Sequence, residues 1–364
     1  MDARYLPDFD LHEDVRLFDL DQGGKAIIAV HSTHRGPAAG GCRVWRYASM
    51  DQALTDALRL SRGMSYKNAL AELPFGGGKS VIVPPEGVFD RSALFESFGR
   101  AVESLKGRYI TAEDVGSSVA DMQTVATQTR HVGGLPPVGA QAGGDPSPWT
   151  AMGVFLSIQA AFAWRANRSL AGAKVSVQGA GAVGADLCRR LTEAGAQVTL
   201  ADVDFDRAIA VAERTRAYVV SPQDIHRLDA DVFAPCALGA GLNTGTLGEI
   251  SASIVCGAAN NQLAHATIGE AMHRRGKLYC PDYVVNAGGI VAVHGEGAGE
   301  VVANVKAKVE AIPGRLVDIL KTAERLCRPP ETVADDIARE RIGRGRATSL
   351  DRRVSLAAEA TISR

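Results

Sequence analysis

The segment 174–202 restricts the fold more than any other part of this 364-residue chain. A short apolar stretch at 174–178 leads into Gly-Ala-Gly-Ala-Val-Gly at 179–184, and a helical pattern follows. A second apolar stretch at 197–201 ends at Asp202, 23 residues after the first glycine of the run. Strand, glycine-rich turn, helix, strand and acid in this order are typical of a βαβ unit that binds a dinucleotide.

The glycines of this turn have separate physical roles. Gly179 makes the tight turn, Gly181 admits the pyrophosphate, and Gly184 lets the helix pack closely on the strand. The helix that follows presents free N–H groups and a partial positive charge to the phosphates. The predicted cofactor-binding loop comprises Gly179, Ala180, Gly181, Ala182, Val183 and Gly184.

Asp202 bears on the identity of the dinucleotide. Its carboxylate can accept both ribose hydroxyls of the adenosine half and would repel a 2′-phosphate. Asp204, Asp206 and Arg207 follow closely, and Arg207 leaves open a cofactor that carries this phosphate. The segment favours NAD over NADP.

A second glycine-rich segment, Leu-Pro-Phe-Gly-Gly-Gly-Lys at 73–79, places Lys79 twelve positions after Lys67. Three consecutive glycines allow a close approach to the backbone or a positive φ, and we predict a glycine turn here. Two ammonium groups in one desolvated site lower each other's pKa, which suits a general base near neutral pH. The alternative is a glycine turn beside two solvated lysines.

Composition excludes several classes of protein. Hydrophobic residues make up 46% of the chain and the formal net charge is −1, so nothing favours nucleic acid or a membrane surface as partner. We see neither a signal-peptide pattern nor an apolar run of about 18 residues, and we expect a cytoplasmic protein. Six scattered cysteines and eight histidines without ligand spacing predict buried free thiols and no metal site.

The order of predicted elements indicates an α/β protein with two domains. A stretch rich in glycine and proline at 133–148 has the composition of a linker or hinge, and a long apolar helix follows from Thr150 to Ala166. In the first domain we predict strands at 25–31, 80–83 and 108–111 and helices at 49–64 and 91–105. A further helix is predicted at 333–341, followed by a basic tail.

Eight segments, one of them the glycine-rich segment above, follow one another in a recognisable order: 36–43, 61–67, 73–79, 111–116, 144–148, 233–239, 257–262 and 281–289. Together they resemble the Glu/Leu/Phe/Val amino acid dehydrogenases, and the leucine, valine and phenylalanine enzymes more than the longer glutamate enzymes. The resemblance implies a substrate-binding and catalytic α/β domain at 1–145 and a Rossmann-type NAD-binding domain at 146–329, with a cleft between them. It also implies that helices from about 330 to 364 return to the first domain.

The resemblance assigns catalytic roles to three residues. Lys67 would pair with the substrate carboxylate, a task that suits a point charge. Lys79 would be the general base that activates water, and Asp114 would exchange protons with the substrate amine. Glu113 is expected to be a structural or solvated neighbour, because adjacent side chains of an extended segment point apart.

Other positions follow from the resemblance less directly. Gly41 would offer its carbonyl to the substrate ammonium, and Asn261 would contact the carboxylate or nicotinamide side. Thr150 could bond the nicotinamide carboxamide, and Ser147 could reach the cofactor, although a turn role fits Ser147 equally well. The remaining cofactor candidates are Ala258, Asn260 and Asn286, and backbone capping in a loop is an alternative for both asparagines.

The implied reaction is oxidative deamination of an L-amino acid with NAD⁺ and water, giving a 2-oxo acid, ammonium and NADH. No lysine or arginine stands out as a partner for a distal carboxylate, which disfavours glutamate. Ala39 stands where leucine is common in leucine-preferring relatives, so the pocket should accept bulky aliphatic or aromatic side chains. The other predicted wall residues are Ala112, Ile290 and Val293.

Two rival functions remain open at this stage. The same fold could act on 2-oxo acids in biosynthesis without ammonium, which ammonium dependence would distinguish. A non-catalytic NAD-binding protein would be expected to lack Lys67, Lys79 or Asp114, and all three are present. The resemblance further implies a homo-oligomer of unspecified size.

Overall fold

The computed structural model describes residues 11–237 and 239–343. It contains two six-stranded sheets, and the strands of each come from one half of the chain. The predicted domain boundary near residue 145 lies between the two sheets, and its exact position stays a prediction. The basic tail predicted after residue 341 lies almost entirely outside the described residues.

The first sheet is mixed, and its strand order is β1-β2-β5-β3-β6, with β4 pairing with β5. Its strands are β1 (Asp14–Asp19), β2 (Lys25–Ser32), β3 (Ala38–Ala39), β4 (Cys42–Val44), β5 (Gly76–Val83) and β6 (Tyr109–Ile110). Three helices accompany it: α1 (Met50–Leu70), α2 (Arg91–Glu103) and α3 (Val119–Ala126). Ser49 begins α1 by accepting a hydrogen bond from the Gln52 N–H, as its sequence predicts.

The predicted glycine turn is wrong, because Gly76, Gly77 and Gly78 begin strand β5. They permit a close approach of other parts of the protein, which is to backbone at Gly76 and Gly77 and to the Tyr109 ring at Gly78. A Cβ at Gly77 would lie 2.1 Å from the Ser65 backbone nitrogen on α1, and one at Gly76 would lie 1.9 Å from the Ser32 carbonyl oxygen. Helix α1 also extends six residues beyond the predicted end at Met64, so that it carries Lys67.

The second sheet is wholly parallel, and its strand order is β12-β11-β10-β7-β8-β9. Its strands are β7 (Lys174–Gln178), β8 (Gln197–Ala201), β9 (Tyr218–Val219), β10 (Val232–Pro235), β11 (Ile254–Val255) and β12 (Leu278–Tyr279). The accompanying helices are α4 (Ser147–Ala166), α5 (Ala182–Glu193), α6 (Phe205–Thr215), α7 (Ala266–Arg274), α8 (Asp282–Val285), α9 (Gly288–Gly297), α10 (Val302–Glu310), α11 (Ile312–Leu326) and α12 (Pro330–Ile342). The order reverses between β7 and β10, which creates the crevice where α/β sheets bind ligands.

The last helix, α12, joins the two halves. Its Arg339 donates to the Tyr66 hydroxyl at 2.8 Å, and Arg341 donates to the carbonyls of Ala69 and Leu70 on α1. One turn earlier on the same face, Asp335 accepts from the hydroxyl of Tyr283, which belongs to the second half. No helix within the two described ranges is long and apolar enough to span a lipid bilayer.

The packing of α1 on β5 predicts a large cost for a single methyl group at Gly77. Gly77→Ala should lower the free energy of unfolding by about 3 kcal/mol, because backbone atoms of α1 cannot yield to the new Cβ. Gly248→Ala is the matched control, since its Cβ would meet none of the described heavy atoms within 4 Å. Urea unfolding followed by circular dichroism compares the two, and equal midpoints would contradict this account of the glycine run.

Candidate active site

Three charged groups from different elements meet beside the cleft. Lys67 lies on the last turn of α1, Lys79 on β5, and Asp114 on the loop after β6. Lys79 Nζ donates to Asp114 Oδ2 at 2.6 Å. The two lysines are only 7% and 3% exposed, and both line an interdomain cavity of about 20 Å³. That volume has room for one water molecule.

Burial is the largest influence on both lysines. It lowers the pKa of Lys79, and the positive charge of Arg43 lowers it further, while Asp114 opposes both. Burial lowers the pKa of Lys67 to about 8, and there the charge of Lys79 acts in the same direction. The sequence argument named repulsion between the two lysines but missed Arg43 as a source of positive charge beside Lys79.

Asp114 is held in its ionised form. Burial by itself would raise the pKa of this carboxyl, but the charges of Lys79 and Arg43 outweigh burial and hold the pKa well below its usual range. Arg43 Nε lies 3.3 Å from the same Oδ2 that accepts from Lys79. The carboxylate is therefore shared between two cations.

The opposite wall of the cleft comes from the second half of the chain. Lys67 Nζ donates to Asn260 Oδ1 at 2.9 Å, and Asn286 Nδ2 donates to the same oxygen at 2.9 Å. Asn286 also bonds the carbonyl of Ala258, which is the loop-tying role that the sequence left open. Asn261 lines the cavity beside Lys67 and Lys79, with a left-handed backbone at φ +52°.

Asp282 is a site residue that the sequence analysis missed. Its Oδ2 accepts the Asn261 N–H at 2.7 Å, and its Oδ1 accepts the Tyr279 hydroxyl at 2.7 Å. The carboxyl is buried, and burial raises its pKa. It therefore holds Asn261 in the left-handed conformation and faces Lys67 across the cavity. The signal was present in the segment 281–289, where only the asparagine was assigned a role.

Of the two expectations for Glu113, a structural or a solvated neighbour, only the solvated one disagrees with the structure. The side chain is half-buried rather than solvated, and no described residue bonds its buried Oε2. Burial raises its pKa to about 7, with the charges of Asp145, Asp121 and Asp114 adding to the effect. The sequence argument assumed that residues 113 and 114 lie in a regular strand, where adjacent side chains point apart. In the structure Glu113 forms an isolated β-bridge with Cys42 and belongs to no strand.

The structure gathers the four predicted wall residues in one apolar cluster, which contains Ala39, Ala112, Ile290 and Val293. Each is less than a tenth exposed. Gly41 lies beside them, and a Cβ there would approach Asp114 Cβ to 2.8 Å and the Glu113 carbonyl oxygen to 2.6 Å. Only glycine fits at this position, so the Gly41 backbone stays beside Asp114.

The glycine-rich loop lies at the carboxyl end of β7, beside the reversal of strand order. A Cβ at Gly184 would approach the Gly179 carbonyl oxygen to 1.9 Å, and Gly179 has a left-handed φ of +110°. A Cβ at Gly181 would meet no described heavy atom within 4 Å, so this glycine borders open space at the helix N-terminus. No side-chain bond caps α5 among the described residues, which leaves its first N–H groups for an anion.

Asp202 lies at the end of β8, next to this loop. Its Oδ2 accepts the Ala180 N–H at 2.6 Å, and Arg207 Nη2 donates to its Oδ1 at 2.6 Å. Burial opposes ionisation, but Arg207 and the backbone N–H groups prevail and lower the pKa of the carboxyl. The open space at Gly181, the free helix terminus and the ionised Asp202 fit a dinucleotide. The buried Oδ1 of Asn286 has no hydrogen-bond partner among the described residues, so it is available to accept a hydrogen bond from a ligand.

Ser147 and Thr150 lie on the first turn of α4, where the backbone N–H of Ser147 and the side chain of Thr150 form hydrogen bonds with nearby residues. The Ser147 N–H donates to Asp145 Oδ1, and Thr150 Oγ1 donates to the Pro146 carbonyl at 3.2 Å. A Cβ at Gly289 would lie 2.7 Å from this Oγ1, so Thr150 faces the start of α9. The turn role of Ser147 is visible in these bonds, and contact of either residue with a cofactor stays a prediction.

A larger cavity of about 600 Å³ opens beside the small one, and Asn260 and Asn261 line both. Its other wall is formed by the first domain, including Arg43 and Arg59. A dinucleotide-type loop, a cleft between two sheets and a buried lysine–aspartate pair beside it are together typical of an enzyme with two domains that uses a dinucleotide.

Comparison with known proteins narrows this class. Residues 15–131 match the dimerisation-domain model of the Glu/Leu/Phe/Val dehydrogenases, and residues 204–328 match the glutamate/leucine/phenylalanine/valine dehydrogenase model. The chain is 42% identical to leucine dehydrogenase of Bacillus subtilis over 94% of each sequence, and 43% identical to valine dehydrogenase of Streptomyces coelicolor over 92% of this chain and 93% of that one. The crystal structure of L-tryptophan dehydrogenase from Nostoc punctiforme superposes with a TM-score of 0.73 at 40% identity, covering 93% of this chain and 97% of that one.

This chain belongs to the Glu/Leu/Phe/Val dehydrogenase family of oxidoreductases. The resemblance inferred from eight segments is thereby confirmed, as is the α/β fold with two domains. Its cofactor is NAD, as the segment ending at Asp202 predicts.

The ion pair between Asp202 and Arg207 predicts how the chain treats a 2′-phosphate. Arg207→Ala should weaken NADPH binding about five- to tenfold while changing NADH binding less than about twofold, because a cation beside the ribose is lost. Fluorescence titration of both nucleotides measures this without any substrate. Arg214→Ala, which removes an exposed arginine from the other end of α6, is the control. Parallel losses for both nucleotides would contradict the assignment.

Proposed function

We propose that this chain catalyses the reversible, NAD-dependent oxidative deamination of an apolar L-amino acid to its 2-oxo acid and ammonium. The observation that carries the proposal is the buried pair of Lys79 and Asp114 beside Lys67, at the base of the cleft. The enzymes named above for leucine, valine and tryptophan support an apolar substrate.

Each group of the site has a separate task in this proposal. Lys67 pairs with the substrate carboxylate, exchanging its bond to Asn260 for a bond to the ligand. Asp114 accepts and returns protons at the substrate amine, and the Gly41 carbonyl beside it bonds the ammonium. NAD⁺, when bound, accepts the hydride from Cα. The loop 179–184 holds its pyrophosphate and Asp202 its adenosine ribose, with Asn261 on the nicotinamide side.

Lys79 acts on water. In its neutral form it takes a proton from the water that attacks the imino carbon, and its burial provides the lowered pKa that this role requires. The small cavity beside it, about 20 Å³, has room for a water molecule but not for an amino acid. We therefore propose that the cleft opens to admit the substrate and closes on it, expelling bulk water.

The apolar cluster around Ala39 determines which substrate side chains the site accepts. Ala39 and Ala112 pack with Ile290 and Val293 in one apolar cluster, and we expect this cluster to border the substrate side chain when the cleft opens. Such a wall cannot pair a distal carboxylate, so acidic amino acids are disfavoured. We also propose a homo-oligomer, since the family model that matches residues 15–131 is described as a dimerisation domain. A cytoplasmic location stays a prediction.

A spectrophotometric panel tests the reaction class. NADH formation at 340 nm, at alkaline pH, should be found with leucine, valine, phenylalanine or tryptophan, and the reverse reaction of the matching 2-oxo acids should require ammonium. Turnover of 2-oxo acids without ammonium would instead favour the biosynthetic alternative.

Ala39→Leu should shift relative kcat/KM toward the smaller substrates by about tenfold, since one or more methylenes of space are lost.

Removal of the Lys79 ammonium tests the proposed general base. Lys79→Ala should lower kcat at least about 10²-fold, the smaller effect expected of a positioned base, and leave NADH binding within about twofold. The far-ultraviolet circular dichroism spectrum should be unchanged. Lys277→Ala, which removes a lysine from the other side of the cofactor domain, is the control. Retention of most turnover by a folded Lys79→Ala protein would refute the role.

A further inference from the structure

The Lys79–Asp114 pair is one end of a chain of charged and polar groups that continues along the first-domain wall of the larger cavity. Arg43, on β4, lies between two carboxylates: its Nη1 donates to Asp56 Oδ2 at 2.8 Å and its Nε to Asp114 Oδ2 at 3.3 Å. The Tyr47 hydroxyl donates to the same Asp56 oxygen at 2.5 Å. The groups therefore follow one another in this order: the Tyr47 hydroxyl, the Asp56 carboxylate, the Arg43 guanidinium, the Asp114 carboxylate and the Lys79 ammonium.

Two features make this chain more than a surface network. The Arg43 residue is 8% exposed, so water screens its charge weakly. Its guanidinium and the Lys79 ammonium also share one oxygen atom of Asp114, and so they compete for the same negative charge. A change in one cation must alter the hold of Asp114 on the other.

We propose that Arg43, fixed by Asp56, is a positioning residue that sets the proton affinity of the Lys79–Asp114 pair and so the pH range of the reaction. The inference rests on the proposed function, because it needs Lys79 to act in its neutral form. Arg43 acts through Asp114, whose Oδ2 lies 3.3 Å from the Arg43 Nε. Asp56 anchors the guanidinium and partly cancels its charge.

The signs of the two effects are opposite. Arg43 lowers the pKa of Lys79, both by repulsion and by drawing Asp114 away from it, whereas Asp56 raises the pKa of Lys79. The neutral base is lost as pH falls, so the acidic limb of the pH–rate profile follows the pKa of Lys79. A variant without the guanidinium should therefore need a higher pH, and a variant without the Asp56 charge should work at a lower one.

Other charged and titratable groups face this pair and stay in place in every variant. They come from β4, from α1, from the loop after β6 and from α8, and they are Cys42, Lys67, Glu113 and Asp282. The Cys42 thiol stays neutral because burial raises its pKa to about 12. Differences between variants consequently report on Arg43 and Asp56.

The experiment measures kcat/KM for deamination against pH in the full-length enzyme, with the best substrate of the panel. The acidic limb should move up by about one pH unit in Arg43→Met and down by about half a unit in Asp56→Asn. Arg43→Lys keeps the positive charge and should leave the acidic limb close to its position in the unmodified enzyme. Tyr47→Phe, which alters the network without changing its charge, should leave the limb in place.

Each outcome bears on one hypothesis. A structural role for Arg43 would lower kcat/KM equally at all pH values, or move both limbs in the same direction, and either result overturns the inference. If Arg43→Met fails to fold, the downward shift in Asp56→Asn and the unmoved limb of Arg43→Lys still decide it. Absence of ammonium-dependent turnover in the unmodified enzyme would instead refute the proposed function.

Discussion

Close packing of α1 on β5 is the contact on which the site depends. The backbones approach so closely because Gly77 lacks a Cβ, and any side chain at this position would collide with Ser65 on the helix. This contact brings Lys67, at the end of the helix, and Lys79, on the strand, to the same small cavity. It also excludes water from them, and burial is the largest influence on the proton affinity of each ammonium.

Burying so many charges is costly, and the chain offsets the cost by pairing them. The carboxylate of Asp114 accepts from Lys79 and Arg43, and Arg43 is in turn held by Asp56. Such an arrangement gives Lys79, Asp114 and Arg43 each an opposite charge nearby, while burial still lowers the pKa of Lys79. A hydrophobic replacement of similar volume would pack as well, but it would have no proton to transfer.

The second half of the chain completes the site from across the cleft. Its contribution is largely made by loops that follow parallel strands, where Asn260 reaches Lys67 and Asp282 fixes the left-handed backbone of Asn261. The nucleotide loop after β7 lies in the same crevice, since strand order reverses there. An apolar cluster shared by both halves and the returning helix α12 hold these walls together.

The sequence by itself determined the nucleotide-binding unit, because a tight turn, a close approach and a helix terminus each demand particular residues within one short segment. Strands β7 and β8 fall where the pattern places them, and α5 lies between them. Only the tertiary structure decided that the three glycines form a strand rather than a turn, since glycine suits both and the choice depends on α1. It also decided the partners of Asp114 and Asn261, because Arg43 and Asp282 lie 71 and 21 positions from them in the chain. Local patterns carry no information about such distant pairs, which form only when sheet and helix pack together.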